Sequence, residues 1–215
     1  YHVPRMCYVN KLDRTGANFF RCVDMMVERL GATPAVLQLP IGAEADFIGV
    51  VDLLSMKAFT WHGETKKGED YDIEEIPANL VDQAKEWREK LVETIAENDD
   101  DAMEKYLGGE ELSVPELKAA LRRATIASKV NPVVCGTSFK NKGIQPMLDA
   151  VCDYLPSPLD IGAVHGTLQD GVTPAEREPD AAAPFSGLVF KIATDPHLGK
   201  LSFLRVYSGR VDAGT

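Results

Sequence analysis

The sequence predicts an α/β fold interrupted by an α+β insert and followed by a pair of alternating strands. Three observations carry this reading. Two short apolar strands, at 3–9 and 132–135, each run into a polar loop and then into a helical apolar pattern. The connection between these units is far longer than ordinary loops, and it carries strand and helix patterns of its own. After Leu155-Pro156-Ser157-Pro158 the composition shifts to Gly, Pro, Ala and Asp, and two alternating runs follow.

Each element has its own signal. Val3-Pro4-Arg5-Met6-Cys7-Tyr8-Val9 reads as a short buried strand. Phe19, Phe20, Val23, Met26, Val27 and Leu30 form one face of a helix that stops at Gly31. Residues 33–39, 48–54 and 56–61 read as strands, and the polar stretch 63–70 as a hairpin tip or loop. Leu80, Ala84, Trp87, Leu91 and Ile95 mark a long amphipathic helix able to pack on such a sheet. Ser113-Val114-Pro115-Glu116 is a capping box with an early proline, and Leu117 and Leu121 begin the buried face behind it. Ile144, Met147, Leu148 and Val151 then recur at helical spacing. Residues 158–183 read as a linker. Leu188, Phe190 and Ile192, then Phe203, Arg205 and Tyr207, alternate on either side of a turn at 195–199, as barrel-core strands do.

Composition narrows the function classes. The chain has 215 residues, is 45% hydrophobic, and carries a formal charge of 23 − 33 = −10 with no basic block. That balance argues against a dedicated RNA-binding module. Cys7, Cys22, Cys135 and Cys152 are scattered without C-x-x-C spacing, and Cys7 and Cys135 are expected as buried reduced thiols. His2, His62, His165 and His197 form no metal-binding pattern. No apolar run is long enough to span a bilayer, and no signal-peptide pattern is visible.

The chemistry concentrates in the two loops. Asn10-Lys11-Leu12-Asp13 falls just beyond the carboxyl end of the first strand, where ligands sit in open α/β sheets. A carboxylate at Asp13 can accept from both N1–H and the exocyclic amine of guanine, donors that adenine does not present in that arrangement. Asn10 can bridge toward the base and brace the loop, and the Lys11 stem can lie across the ring. Alone, this tetrapeptide is an ordinary polar turn. The second loop, Gly136-Thr137-Ser138-Phe139, changes the weighing. Its small residues let backbone N–H groups approach a ligand carbonyl, and Phe139 can cover the other ring face.

Longer strings carry a resemblance. They are Asn10-Lys11-Leu12-Asp13-Arg14-Thr15-Gly16-Ala17-Asn18-Phe19, Gln38-Leu39-Pro40-Ile41-Gly42-Ala43-Glu44 and Gly49-Val50-Val51-Asp52-Leu53. Met103-Glu104-Lys105-Tyr106-Leu107-Gly108-Gly109-Glu110-Glu111-Leu112 and Cys135-Gly136-Thr137-Ser138-Phe139-Lys140-Asn141-Lys142-Gly143 continue them. Phe190-Lys191-Ile192-Ala193-Thr194-Asp195-Pro196 and Arg205-Val206-Tyr207-Ser208-Gly209 complete the set. Essentially end to end, the chain resembles the bacterial translation elongation factor G family.

That resemblance implies the carboxy-terminal part of a P-loop-GTPase-type domain at 1–157, with the family's G′ insert at about 32–128. A linker at 158–183 and the truncated start of a β-barrel second domain at 184–215 would follow. Asn10, Lys11 and Asp13 match the fourth guanine-nucleotide motif, and Thr137, Ser138 and Phe139 the fifth. The usual fifth motif is Ser-Ala plus an apolar residue; Thr-Ser departs from it, with the Ser138 contact expected through its backbone N–H. The implied ligands are GTP and GDP, with Mg²⁺ in the intact factor on residues outside this chain. The implied activity is GTP hydrolysis coupled to translocation. The implied partners are rRNA, the tRNA–mRNA complex and the ribosomal stalk protein, in a cytoplasmic monomer that needs no membrane. The insert is the stalk-facing part, and Glu86, Glu89 and Glu93 make an acidic helix face suited to it.

No catalytic residue is assigned in this chain. A G-x-x-x-x-G-K-[ST] phosphate loop does not occur, and the nearest spacing, Gly166 to Gly171-Val172-Thr173, lacks the lysine. The chain is therefore expected to be an internal fragment, inactive in hydrolysis by itself. Two alternatives share these features: a ribosome-recycling or ribosome-protection paralogue, and a non-enzymatic stalk-binding fragment.

Overall fold

The structure is a computed structural model that describes residues 3–62 and 70–214. Two compact units divide between Leu155 and Pro156.

In the first unit, β1 (Cys7–Val9) leads into the first loop and α1 (Phe19–Leu30) follows. β2 (Pro34–Val36), β3 (Gln38–Ile41), β4 (Gly49–Asp52), β5 (Lys57–Thr60) and β6 (Asp72–Glu74) come next. Then come α2 (Val81–Ala96), α3 (Asp100–Leu107), α4 (Val114–Ile126), β7 (Asn131–Cys135) and α5 (Ile144–Tyr154). β1, β7 and β2 form a parallel sheet in that spatial order, with Val9 opposite Cys135 and Val36 opposite Val133. β3 to β6 form an antiparallel sheet in chain order. The result is a mixed α/β unit whose core runs through both sheets without interruption.

Three strand expectations change. The strand expected at 3–9 forms only at Cys7–Val9, and Val3 is exposed. Pro4 has no N–H for a ladder, and the partner strand begins at Asn131, whose side-chain amide donates to the Arg5 carbonyl at 3.3 Å. Cys7 is accordingly half-buried, whereas Cys135 is fully buried, and all four cysteines are free thiols. The strand expected at 33–39 is two strands in two sheets. Leu37 joins them: its N–H donates to Val133 of the parallel sheet, and its carbonyl accepts from Leu53, just past β4, both at 2.9 Å. β6 was not expected, and the polar stretch before it lies outside the described residues except for Asp70.

The helices form where caps and apolar spacing agree. Asn18 caps α1 by accepting from Arg21 N–H at 2.9 Å, and Gly31 ends it in the left-handed region at φ 58°. Only Phe19 and Val23 of its apolar face are fully buried; Val27 and Leu30 are exposed. Trp87 of α2 lies against Phe20 of α1 at 5.5 Å between ring centroids. Arg88 of α2 donates to the carbonyls of Leu53 and Leu54, tying the helix to the end of β4. α3 has no strong pattern, being short and polar, but Asp99 caps it by accepting from Ala102 N–H at 3.0 Å. In α4 the capping box forms as expected and Leu117 and Leu121 are fully buried. Arg122 of α4 reaches the carbonyls of Cys152, Asp153 and Leu155, covering the last turn of α5. α5 forms as the spacing of Ile144, Met147, Leu148 and Val151 predicts, with Met147 packed partly against the core and Leu148 exposed, and it buries Pro146, Ala150 and Tyr154. Four-residue spacing along that face sets it against α4 and β7.

The second unit holds a short helix, α6 (Pro158–Ile161), and the antiparallel pairs β8 (Val164–Thr167) with β9 (Pro174–Arg177) and β10 (Ser186–Asp195) with β11 (Gly199–Ser208). Residues 158–183, read as a linker, thus contain a capped helical turn and a hairpin. Their signals are local: Ser157 with Asp160 makes a capping box, and Asp170 accepts from the N–H groups of Val172 and Thr173. Leu188, Phe190, Ile192 and Phe203, read as barrel core, are each exposed within this two-stranded ribbon.

Candidate functional site

Parallel pairing of β1 with β7 sets the two loops side by side, since Val9 and Cys135 are register partners and both strands end there. Backbone bonds continue past the strands: Gly136 N–H donates to Val9 at 3.0 Å, and Leu12 N–H to Gly136 at 3.3 Å. Gly136 is required at this crossing. A Cβ there would lie 2.4 Å from the Lys142 carbonyl and 2.5 Å from the Tyr8 hydroxyl oxygen.

Asn10 fastens one loop to the other. Its Oδ1 accepts from Lys11 N–H at 2.8 Å and from Ser138 N–H at 3.0 Å, while its Nδ2 donates to Ser138 Oγ at 2.9 Å. The bracing role expected of Asn10 is what these bonds describe. They also change the expectation for Ser138, whose backbone N–H is engaged by Asn10 rather than left facing outward. Lys11 adopts φ 64°, the left-handed region that a tight turn favours.

Asp13 is held by the other residue of the pair. Thr137 Oγ1 donates to its Oδ1 at 2.6 Å, and Lys140 Nζ lies 3.5 Å from its Oδ2. The Thr137 hydrogen bond does most to hold the Asp13 carboxyl below the usual carboxylate range; burial opposes it and Lys140 assists. Thr137 is itself buried and paired with Lys142 through backbone bonds in both directions. Lys11 and Phe139 are both exposed, and 88% of Phe139 is open to solvent. The six residues expected in the site are thus brought together: Asn10 with Ser138 and Asp13 with Thr137 in two cross-loop pairs, and Lys11 and Phe139 exposed beside them.

Sequence reasoning missed a clamp supplied by the turn after β3. Glu44 N–H donates to the Leu12 carbonyl at 2.8 Å, and Glu44 Oε1 accepts from Gly16 N–H at 2.7 Å. Lys142 Nζ donates to the Phe47 carbonyl at 3.3 Å. Both loops therefore rest on residues 44–47. The signal in the sequence was Gly42, at φ 79°, where a Cβ would lie 2.0 Å from the Asp46 carbonyl.

Glu86, Glu89 and Glu93 are exposed along α2, and Glu86 pairs with Lys90 at 2.6 Å. His62, Asp72 and Glu74, all exposed, also come together, their ligand atoms within 4.8 Å of one another. Spacing could not show this, because it is the pairing of Thr60 with Asp72 that sets His62, just past β5, beside β6. His62 Nε2 lies 3.0 Å from Asp72 Oδ2, and Thr60 donates to Glu74 at 3.3 Å. No helix among the described residues is long and apolar enough to cross a membrane.

A crystal structure of a protein from Thermus thermophilus matches with a TM-score of 0.76 at 27% identity. The match covers 99% of this chain and 28% of that one, so the chain spans well under half of that protein's length. Residues 1–157 match the family described as the elongation factor Tu GTP binding domain. With its parallel sheet and its two interlocked loops at the carboxyl ends of β1 and β7, the chain belongs to this family of translational GTPase domains.

Proposed function

We propose that the chain is an internal segment of an elongation factor G-type GTPase, which drives tRNA and mRNA through the ribosome. Within it, this segment reads the guanine of GTP and GDP. The observation that carries the reading is the cross-loop lock. Asn10 binds Ser138 and Thr137 binds Asp13, across 128 and 124 residues of sequence, directly beyond two parallel strand ends. Asp13 supplies two acceptor oxygens on a prealigned, ionised carboxylate, and Asn10 fixes the loop that carries it. Phe139 and the Lys11 stem offer surfaces for the two faces of a planar base.

The insert, about 32–128, corresponds in this proposal to the G′ subdomain, with Glu86, Glu89 and Glu93 facing the ribosomal stalk protein. The hairpin of β10 and β11 begins the barrel of the second domain, which accounts for apolar side chains left uncovered on both of its faces. Val27, Leu30 and Leu148 would be covered by the remainder of the nucleotide domain. Phosphate binding, Mg²⁺ and hydrolysis belong to that remainder, because no phosphate-loop motif occurs in the sequence. A cytoplasmic monomer acting on rRNA and the tRNA–mRNA complex follows from the same assignment.

The test is Asp13→Asn in the full-length factor. Asparagine replaces a two-acceptor carboxylate with one acceptor and one amide donor group, so a donor then faces a donor of guanine. Xanthine carries a carbonyl in place of guanine's exocyclic amine and accepts from that new donor. The variant loses GDP affinity by about 2–5 kcal/mol and gains relative affinity for xanthosine diphosphate. A parallel fall for both nucleotides in competition binding, or no change for either, overturns the proposal.

A further inference from the structure

Asp13 is largely covered: its side chain is only 8% exposed. The edge of a guanine presents two N–H donors and needs an open lone pair on each carboxylate oxygen. Exposure this low does not admit both, so one of the groups lying on the carboxylate has to yield. The two groups in contact with its oxygens are not equivalent.

Thr137 holds Oδ1 and is fixed. It is 1% exposed, and its backbone donates to and accepts from Lys142 at 3.0 and 3.2 Å. Lys140 faces Oδ2 and is free to move. Its side chain is 36% exposed at the end of the short 3₁₀ turn Ser138–Lys140, on a stem with four rotatable bonds. Its contact, at 3.5 Å, is longer than the 2.6 Å Thr137 bond.

We propose that Lys140 is a displaceable counter-ion of the base-reading carboxylate. It rests on Asp13 Oδ2 and has to swing away for the base edge to enter, while Thr137 stays and keeps the carboxylate aimed. This rests on the guanine-reading assignment above and adds a selectivity device to it. A base that displaces the ammonium without supplying donors of its own leaves a covered carboxylate unpaired, whereas guanine replaces the lost partner. Lys140 therefore sets a threshold that guanine meets and adenine does not.

The test compares Lys140→Met and Lys140→Arg in the full-length factor, with binding of a fluorescent GDP followed by stopped flow at low and high ionic strength. Removing a partly exposed competing cation tightens GDP binding about two- to five-fold, through faster association. The gap between Lys140→Met and the parent narrows as salt rises, because the competing pair is screened. Lys140→Arg, which keeps the cation, behaves as the parent. Unchanged or weaker GDP binding in Lys140→Met overturns the proposal, as does a gap that salt does not move. Asp13→Asn measured alongside separates the two claims. A crossed guanine-to-xanthine change with an inert Lys140→Met removes only the counter-ion role, and no crossed change removes both.

Discussion

Asn10 and Ser138 exchange two hydrogen bonds across 128 residues of sequence: backbone N–H to Oδ1 at 3.0 Å and Nδ2 to Oγ at 2.9 Å. One carboxamide thereby replaces the strand ladder at the point where β1 and β7 have run out. Truncation to Asn10→Ala removes both bonds and the internal one to Lys11. Affinity for GDP is expected to fall by about 1–2 kcal/mol, roughly ten-fold. The preference for guanine over xanthine should survive, because Asp13 keeps its Thr137 bond. Loss of that preference in a competition assay would show that Asn10, and not Asp13, reads the base.

Gly136 is expected to resist any side chain. With the Lys142 carbonyl and the Tyr8 hydroxyl oxygen within 2.5 Å of a prospective Cβ, Gly136→Ala has to separate the two loops. The cost should be about 1–3 kcal/mol, seen as a lower urea midpoint. An unchanged midpoint would mean that the crossing is looser than described.

Asp99 links α3 to α4, capping α3 while accepting both arms of the Arg123 guanidinium at 2.7 Å. The Arg123 hydrogen bonds hold its carboxyl below the usual range, against the opposing effect of burial. A group whose pKa is lower folded than unfolded stabilises above its unfolded value, near 4, and that contribution disappears as pH falls through the folded value. Asp99→Ala should therefore cost about 1–2 kcal/mol at neutral pH, and Asp99→Asn less, since it keeps a capping acceptor. Both gaps should shrink as the solution is acidified below pH ~4. Denaturant curves along a pH series measure this, and gaps that widen in acid would contradict it.

The acidic face of α2 makes a separate forecast. Glu86, Glu89 and Glu93 are exposed, so changing all three to Lys should leave the melting transition close to that of the parent. Binding to the stalk protein should weaken, chiefly in association rate and most at low salt. Equal rates for the two proteins at low ionic strength would return this face to plain solvated surface.

Where local signals were strong, the sequence was legible. The Ser113–Glu116 capping box, the Gly31 stop and the Leu80-to-Ile95 spacing each form the expected element. The six candidate residues stand out in the sequence because both loops follow apolar strands. What stayed hidden depends on tertiary pairing. Leu37 reads as mid-strand, yet it changes sheets, because alternation along one chain does not say which partner each stretch takes. Glu44 is an ordinary turn acid until the fold sets it against Gly16. The spacing of Ile144, Met147, Leu148 and Val151 marked α5 but did not show which of its residues are fully buried, namely Pro146, Ala150 and Tyr154. α3 gave no warning, its stability coming from Asp99 and Arg123 rather than from periodicity.

The spatial order β1, β7, β2 places last in the chain the strand that lies in the middle. During synthesis, β1 and β2 leave the ribosome long before their shared neighbour exists, and neither can close on the other. Gln38, at the head of β3, waits as well: its Oε1 receives the Cys135 N–H at 3.1 Å only when β7 slots in. One late arrival therefore completes the parallel sheet, joins it to β3 and sets the two loops together in a single step. Assembly of this unit has a high contact order and an all-or-none finish, so a nascent chain halted before residue 131 lacks the strand that sets one loop against the other.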